Sequence, residues 1–269
     1  MTFSTGFSDV DASDRAPELV DYLGRAARQL ATMRNDDYAR LRLEPGHAVL
    51  DVGCGAGDVC VELAGRVGPS GRVCGVDVSE AMVAAARAAA GQAGREVDLR
   101  VATAYSLPFA DASFDAVRAE RVFQHLDDPG RALTEMVRVT RPGGRVMVFD
   151  PDHSQHSVSL ETDLECRVHE ATRSALLRMI VNPRIGTRLP GLFRRAGLAG
   201  IEQLGWVLAT TFPDYAQITF LHERLASAIA AGDISEDESR QFVAALEAQH
   251  EHGTFFCGLV GYTVVGVKP

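Results

Sequence analysis

The stretch Val49-Leu50-Asp51-Val52-Gly53-Cys54-Gly55-Ala56-Gly57-Asp58 decides the fold. An apolar run broken by one acid passes directly into glycines at 53, 55 and 57, which reads as a buried strand, a tight turn and the start of a helix. Positions without a side chain let a ligand lie against the backbone at the carboxyl end of that strand, where open α/β sheets bind their ligands. The dinucleotide fingerprint G-x-G-x-x-G asks for glycine at 58, and Asp58 stands there instead. A negative charge at the helix start opposes a pyrophosphate and suits a cationic ligand.

Outward from this turn, residues 46–150 alternate short β-branched runs with longer amphipathic ones, the pattern of a parallel sheet covered by helices on both faces. Strands are expected over 48–52, 72–76, 98–101, 114–117 and 145–149, and helices over 58–66, 79–90 and 129–140. Asp128-Pro129 is an N-cap followed by a first-turn proline, and Arg141-Pro142-Gly143-Gly144 ends that helix and turns into the next strand.

After Asp150 the alternation lapses. Leu164, Val168, Ala171 and Ala175 place one apolar side on a helix over 161–180. A helix over 188–197, with Gly197 as its C-cap, and a strand over 201–208 follow. Ile218, Leu221, Leu225 and Ala228 mark a further helix, and Ser235 with Glu238 forms a capping-box signature ahead of Phe242, Val243 and Leu246. Residues 254–267 suit a terminal strand, and 13–43 read as helix. The expected architecture is one α/β domain with a mostly parallel seven-stranded sheet and a final antiparallel strand. Residues 46–150 form its binding core, and 186–210 and 254–269 complete the sheet. Helical additions over 1–45, 151–185 and 211–253 make a lid.

The chain has 269 residues, 46% hydrophobic and 23% charged, which fits a globular protein and argues against disorder. Lys and Arg number 27 against 36 Asp and Glu, a net charge of −9 that disfavours nucleic acid and anionic membrane surfaces as partners. No apolar run reaches a membrane span of about 18 residues, and the amino terminus lacks a signal-peptide pattern. Cys54, Cys60, Cys74, Cys166 and Cys257 form no C-x-x-C pair and read as reduced thiols, so the expected location is cytoplasmic.

A second acid, Asp77, ends the next strand in Gly75-Val76-Asp77-Val78-Ser79. One carboxylate there can accept from both hydroxyls of a ribose, each charged hydrogen bond being worth on the order of 1.5–3 kcal/mol. The competing reading of Asp77, the lesser of the two, is that it helps cap the helix beginning near Ser79.

Together these segments resemble the class I S-adenosylmethionine-dependent methyltransferases, in the small-molecule branch with ubiquinone/menaquinone-type and natural-product enzymes. Two further stretches carry the resemblance: Ala104-Tyr105-Ser106-Leu107-Pro108-Phe109-Ala110-Asp111-Ala112-Ser113-Phe114-Asp115, similar to the adenine-side loop and fourth strand, and Arg138-Val139-Thr140-Arg141-Pro142-Gly143-Gly144-Arg145, similar to the turn into strand five. The resemblance implies a Rossmann-like fold and S-adenosylmethionine as cofactor, with S-adenosylhomocysteine as product. It places the cofactor on Asp51, Gly53, Cys54, Gly55, Asp58, Asp77, Val78, Met82, Thr103, Ala104 and Glu120. Thr103 departs from the family, which often carries an acid there; its hydroxyl is a weaker, neutral acceptor for an adenine amine.

Methyl transfer from a sulfonium needs the acceptor atom in line with the sulfur–carbon bond, so placement supplies much of the rate, up to about 7–11 kcal/mol in intramolecular models. A base is needed only where the acceptor carries a proton that must leave. The segments Glu120-Arg121-Val122-Phe123-Gln124-His125 and Asp150-Pro151-Asp152-His153-Ser154-Gln155-His156 follow strands four and five and face the methyl position. In sugar methyltransferases that this chain resembles, a histidine like His125 and an acid like Asp150 are linked to deprotonation, so these two are the catalytic candidates. His125 serves equally as a pocket-shaping residue, and Asp150 as a loop cap. His153 and His156 share a helical spacing but lack a third ligand, so no metal is expected. Arg34, Arg184 and Arg188 are candidates for a ligand carboxylate or plain surface residues. The expected partner is a small-molecule acceptor, with self-association left open. A nicotinamide-dependent NAD(P) oxidoreductase and a non-catalytic nucleoside-binding module are the competing readings.

Overall fold

In the computed structural model, residue 11 and residues 30–269 are described. Seven strands, β1 (Ala48–Val52), β2 (Arg72–Asp77), β3 (Asp98–Val101), β4 (Phe114–Glu120), β5 (Thr140–Val158), β6 (Ala199–Thr210) and β7 (Cys257–Val267), form one sheet in the order β3-β2-β1-β4-β5-β7-β6. The first five run parallel, and β7 is antiparallel to both β5 and β6. Chain order reverses between β1 and β4, the switch point at which such sheets open a crevice.

The helices are α1 over 30–41, α2 (Asp58–Val67), α3 (Glu80–Gln92), α4 (Pro129–Val139), α5 (Asp163–Met179), α6 (Ile185–Arg195), α7 (Phe212–Ile218), α8 (Leu221–Ala230) and α9 (Glu236–Glu251). Alternate residues of the strands face opposite layers. Leu50, Val52, Val117 and Val146 pack with α4 and α6, while Val49, Val73, Ala116 and Met147 pack with α1, α2 and α3. A third cluster joins α5, α7, α8 and α9 over the far ends of β5 and β7, through Val168, Tyr215, Leu225, Phe242 and Cys257.

Local chemistry sets most boundaries where expected. Ser79 caps α3 by accepting from the Met82 amide, Asp128 caps α4 through the Arg131 amide, and Ser235 with Glu238 forms a complete capping box on α9. The Arg141–Gly144 turn is a bulge within β5: Thr140 pairs with Phe114, Arg145 pairs with Ala116, and Gly143 takes φ +77°.

Three expectations are corrected. The segment after Asp150 is not helical from its start; β5 runs on to Val158 and pairs with Cys257–Leu259 of β7 after a shift of register between Pro151 and His156. Its polar residues misled the reading because this part of the strand lines a cavity rather than the core. The helix expected from Ile218 to Ala228 is two helices, since α7 ends at Ile218 and Phe220 turns into the left-handed region at φ +54°. Of the helix expected over 13–43, only 30–41 can be placed, and most of the 1–45 lid lies outside the described residues.

Candidate active site

The turn after β1 is shaped by contact with protein as much as by room for a ligand. Gly53 has φ +72°, and a Cβ there would meet Val122 Cγ2 at 2.3 Å; Gly57 has φ +85° and would meet Ala86 Cβ on α3 at 2.7 Å. Only glycine keeps β1, α3 and the segment after β4 this close. The turn is joined to β2 by Asp77, whose Oδ2 accepts from the Gly55 amide at 2.9 Å and whose Oδ1 accepts from the Ser79 amide at 3.0 Å. Burial raises the pKa of this carboxyl, against the pull of the amides. No cation neutralises Asp77 among the described residues, and each oxygen retains acceptor capacity toward the cavity.

That cavity has a volume of about 730 Å³ and opens over the switch point. Of the expected cofactor residues, Gly53, Gly55, Asp77, Val78, Met82, Thr103, Ala104 and Glu120 line it, as does His125. Val78 is 64% exposed on the rim, an apolar side chain free to cover a flat ring, while Met82 is buried beneath it. The Thr103 hydroxyl accepts from the Tyr105 amide at 3.3 Å and holds its own loop.

Asp51, Cys54, Asp58 and Asp150 do not line the cavity. Asp51 is buried against Arg118 at 3.2 Å, and burial raises its pKa to about 6 against the guanidinium's pull. Cys54 packs into the core layer with Cys60 and Val83. Asp58 opens α2 away from the cavity wall, so the negative wall inferred from it is not formed there. Asp150 sits fully buried in mid-strand, its oxygens accepting from the Phe123 amide at 3.0 Å and the Gln124 amide at 3.2 Å. Burial outweighs those bonds and lifts its pKa to about 8. Its carboxyl therefore fixes the short 3₁₀ turn Phe123–His125 from behind instead of facing the acceptor.

Glu120 is on the wall but fully engaged. Arg34 donates to both of its oxygens at 3.0 and 2.7 Å, and Arg118 donates to Oε2 at 2.7 Å. Burial alone would raise this carboxyl, but the two guanidinium groups hold it down at about 2. Arg34 is thus buried and paired, whereas Arg184 and Arg188 are exposed. Arg118 itself was missed, although a cation between Val117 and Ala119 in the middle of the strand Phe114–Glu120 was a signal that could have found it. Asp11, also missed, accepts from the Ser79 hydroxyl and from the Glu80 and Ala81 amides, beside Asp77.

The 3₁₀ turn brings together Gln124 and His125, and Gln124 Oε1 meets His153 Nε2 at 2.6 Å. Burial, with the Arg121 charge adding to it, lowers the His125 pKa to about 4, so its imidazole is neutral at pH 7. His153 is lowered to about 3 and His156 to about 2, in both cases chiefly by burial. Their rings stand 6.2 Å apart, and no group of three metal-ligating side chains is formed among the described residues. Beyond them the wall is apolar, with Leu176 from α5, Ile180 just past its end, Trp206 and Leu208 from β6, and Leu259 from β7. Leu30 and Met33 of α1 also line the cavity and pack with Phe149 against Trp206 and Leu208.

A family model described as a methyltransferase domain matches residues 50–148. An uncharacterised 37.1 kDa protein of transposon Tn4556 from Streptomyces fradiae is 34% identical over 257 residues, covering 93% of this chain and 71% of its own length. The O-methyltransferase resE of Aspergillus sclerotiorum is 36% identical over 61% of this chain and 59% of its own. This chain spans about half the length of several such relatives with methyltransferase names. Among solved structures, the putative methyltransferase BH2331 from Bacillus halodurans superposes with a TM-score of 0.61 at 18% identity, over 86% of this chain and 96% of its own, a likeness of fold. With a Rossmann-like sheet, an acid after the second strand that no cation neutralises among the described residues, and a methyltransferase-domain match that spans that acid and most of β1–β5, this chain belongs to the class I S-adenosylmethionine-dependent methyltransferases.

Proposed function

We propose that the chain transfers a methyl group from S-adenosylmethionine to a small-molecule acceptor held in the same cavity. The observation that carries this reading is the two-ended cavity itself, with Asp77, Val78 and Ala104 at one end and a histidine-edged apolar wall at the other. The nucleoside end fits the cofactor: the Asp77 oxygens are free to accept from ribose hydroxyls, Gly53 and Gly55 leave room at the turn, and Val78 offers an apolar cover for adenine.

When bound, the cofactor supplies an electrophilic methyl on a sulfonium whose positive charge is lost on transfer. The protein's part is placement and exclusion of water. The turn Phe123–His125, locked from behind by Asp150, holds Gln124 and His125 at the junction of the two ends. Where the acceptor atom carries a proton, His125, like His153 and His156 a neutral imidazole on the wall, is the base assigned to take it. A nucleophile that needs no deprotonation requires only the placement. Asp150 acts in this scheme as a positioning residue.

The five cysteines are unpaired and no helix among the described residues is long and apolar enough to cross a membrane, which supports a cytoplasmic setting. Calorimetry with S-adenosylhomocysteine and with NADH tests the cofactor. Binding of the first and not the second is expected, and the reverse would remove the proposal. A screen of metabolites with labelled S-adenosylmethionine then tests transfer, expected to label a small molecule; exclusive labelling of protein or nucleic acid would refute the acceptor class.

A further inference from the structure

The acceptor end of the cavity is backed by a buried positive charge that no acid among the described residues answers. Arg224 on α8 is completely buried. Its Nη2 donates to the Thr219 hydroxyl at 2.6 Å and to the Tyr215 hydroxyl at 3.2 Å, both neutral, while Nε and Nη1 have no partner among the described residues. The Tyr215 ring, 5.4 Å from Cζ, offsets only part of this. A guanidinium keeps its charge wherever a protein is folded, so its burial without an anion is a standing cost that calls for an explanation.

Three imidazoles feel the same charge. His153 and His156 on β5 and His169 on α5 are each kept neutral mainly by burial, with Arg224 adding to the effect, and the Nδ1 atoms of His156 and His169 are also without partners among the described residues. The acids beside them are engaged elsewhere. Asp152 accepts from Ser154 and Thr187, and Glu170 is held by Arg173 at 2.6 Å. Thr219, His153 and His156 are the members of this cluster that line the cavity; His153 Nε2 is held by Gln124 Oε1 at 2.6 Å, and Leu176, Ile180, Ile218 and Phe220 lie beside them.

We propose that this pole of the cavity binds the carboxylate of an apolar carboxylic acid, which is the methyl acceptor, with a His156 N–H and the Thr219 hydroxyl, turned from its 2.7 Å bond to the Tyr215 carbonyl, donating to the carboxylate and Arg224 behind them supplying the charge. The inference rests on the methyltransferase reading and names its substrate class. A single formal cation with few donors matches a monoanion; a phosphate brings more charge and more oxygens than the cluster can satisfy. The apolar surround selects a hydrocarbon or aromatic body, because a polar one would leave its groups unpaired there.

The test titrates protein saturated with S-adenosylhomocysteine against matched pairs: 1-naphthoate with 1-naphthamide, 4-hydroxybenzoate with 4-hydroxybenzamide, and octanoate with octanamide. At least one acid is expected to bind about 10-fold or more tighter than its amide. That preference should vanish in Arg224→Gln and persist in Arg224→Lys. Should Arg224→Gln fail to fold, Thr219→Ala serves in its place, and the acid should weaken about 3- to 10-fold with the amide unchanged. Wild-type protein that prefers no acid over its amide, a preference that survives Arg224→Gln, or equal weakening of both partners in Thr219→Ala overturns the inference. The S-adenosylhomocysteine titration of the same samples keeps the two readings apart: loss of that binding removes the proposed function, whereas its presence without acid preference removes this inference alone.

Discussion

Arg34 and Glu120 meet in a two-point ion pair, Nε to Oε2 at 3.0 Å and Nη2 to Oε1 at 2.7 Å, between residues 86 positions apart. The pair fastens α1 to the end of β4, and Arg118 carries the connection on to Asp51 at the end of β1. Leu30 and Met33, which line the cavity, ride on the same helix.

Arg34→Met should therefore loosen both the fold and the site. Removing one partner of a buried pair costs about 3–5 kcal/mol, readable as a lower urea midpoint, and cofactor-product binding should weaken with it. The Glu120 contribution has a defined pH window, since its pKa falls from the usual 4.5 to about 2 on folding. It is complete above 4.5 and is lost as the pH drops toward 2. A variant that unfolds at the wild-type urea concentration would show that α1 is held by other means.

Asp77→Asn keeps the size of the side chain and removes its charge. Weakening of S-adenosylhomocysteine binding by roughly 10- to 100-fold is expected, the equivalent of one or more charged hydrogen bonds. Because one amide contact to Gly55 or Ser79 is also lost, stability should fall, though by only about 1 kcal/mol. Unchanged affinity by calorimetry would reduce Asp77 to a partner of the α3 start.

Gly53→Ala meets two obstacles, the left-handed backbone and the Val122 methyl at 2.3 Å. A loss of about 1–3 kcal/mol from the backbone alone is expected. Adding Val122→Ala should recover the part due to the clash and leave the rest, a split that thermal unfolding of the single and double variants will read. Full recovery would mean that the backbone angle costs nothing.

The buried histidines make the protein sensitive to acid in a way that a difference experiment isolates. Folding lowers the pKa of His153 to about 3 and of His156 to about 2, so their contribution is present above the unfolded value of 6.5 and is lost as the pH falls below it. Asp150, raised to about 8, runs the other way: its contribution is full below 3.8 and is lost as the pH rises through 8. A His153→Gln/His156→Gln double variant should gain on the wild type by up to about 1.4 kcal/mol per histidine per pH unit between pH 6.5 and about 4. Parallel pH–stability curves would show that these imidazoles protonate freely.

The cofactor half of the molecule was legible because its signals are local. The glycines at 53, 55 and 57 follow a β-branched run, Asp77 ends the next such run, and Ser79, Asp128 and Ser235 cap helices by contacts a few residues away. The acceptor half was much less so. In strand residues 151–158, His153 and His156 face the cavity and Asp152 is buried against Ser154 and Thr187, so the two-residue alternation that marks a strand against an apolar core is missing from them. The α7–α8 break turns on the left-handed backbone of Phe220, a residue type that rarely adopts it.

Long-range charge placement was hidden for a different reason. Asp150 stands at the end of an expected strand, as the catalytic reading required, yet its carboxyl turns toward amides 26 and 27 residues earlier in the chain. Likewise Asp51 and Glu120 read as ligand-facing acids until Arg118 and Arg34 are seen to occupy them. Pairings of this kind depend on which strands lie side by side, and no local spacing encodes them.

The overhang of β5, β6 and β7 beyond the parallel part of the sheet has a bearing on how this enzyme can diversify. The β6–β7 ladder runs without a break from Glu202–Val265 to Thr210–Cys257, with β5 rejoining β7 past its register shift, so every second side chain of this wall is a replaceable peg. Exchanging Trp206, Leu208 or Leu259 would recut the mould for the acceptor while the grip on the nucleoside, built on other strands, stays as it is.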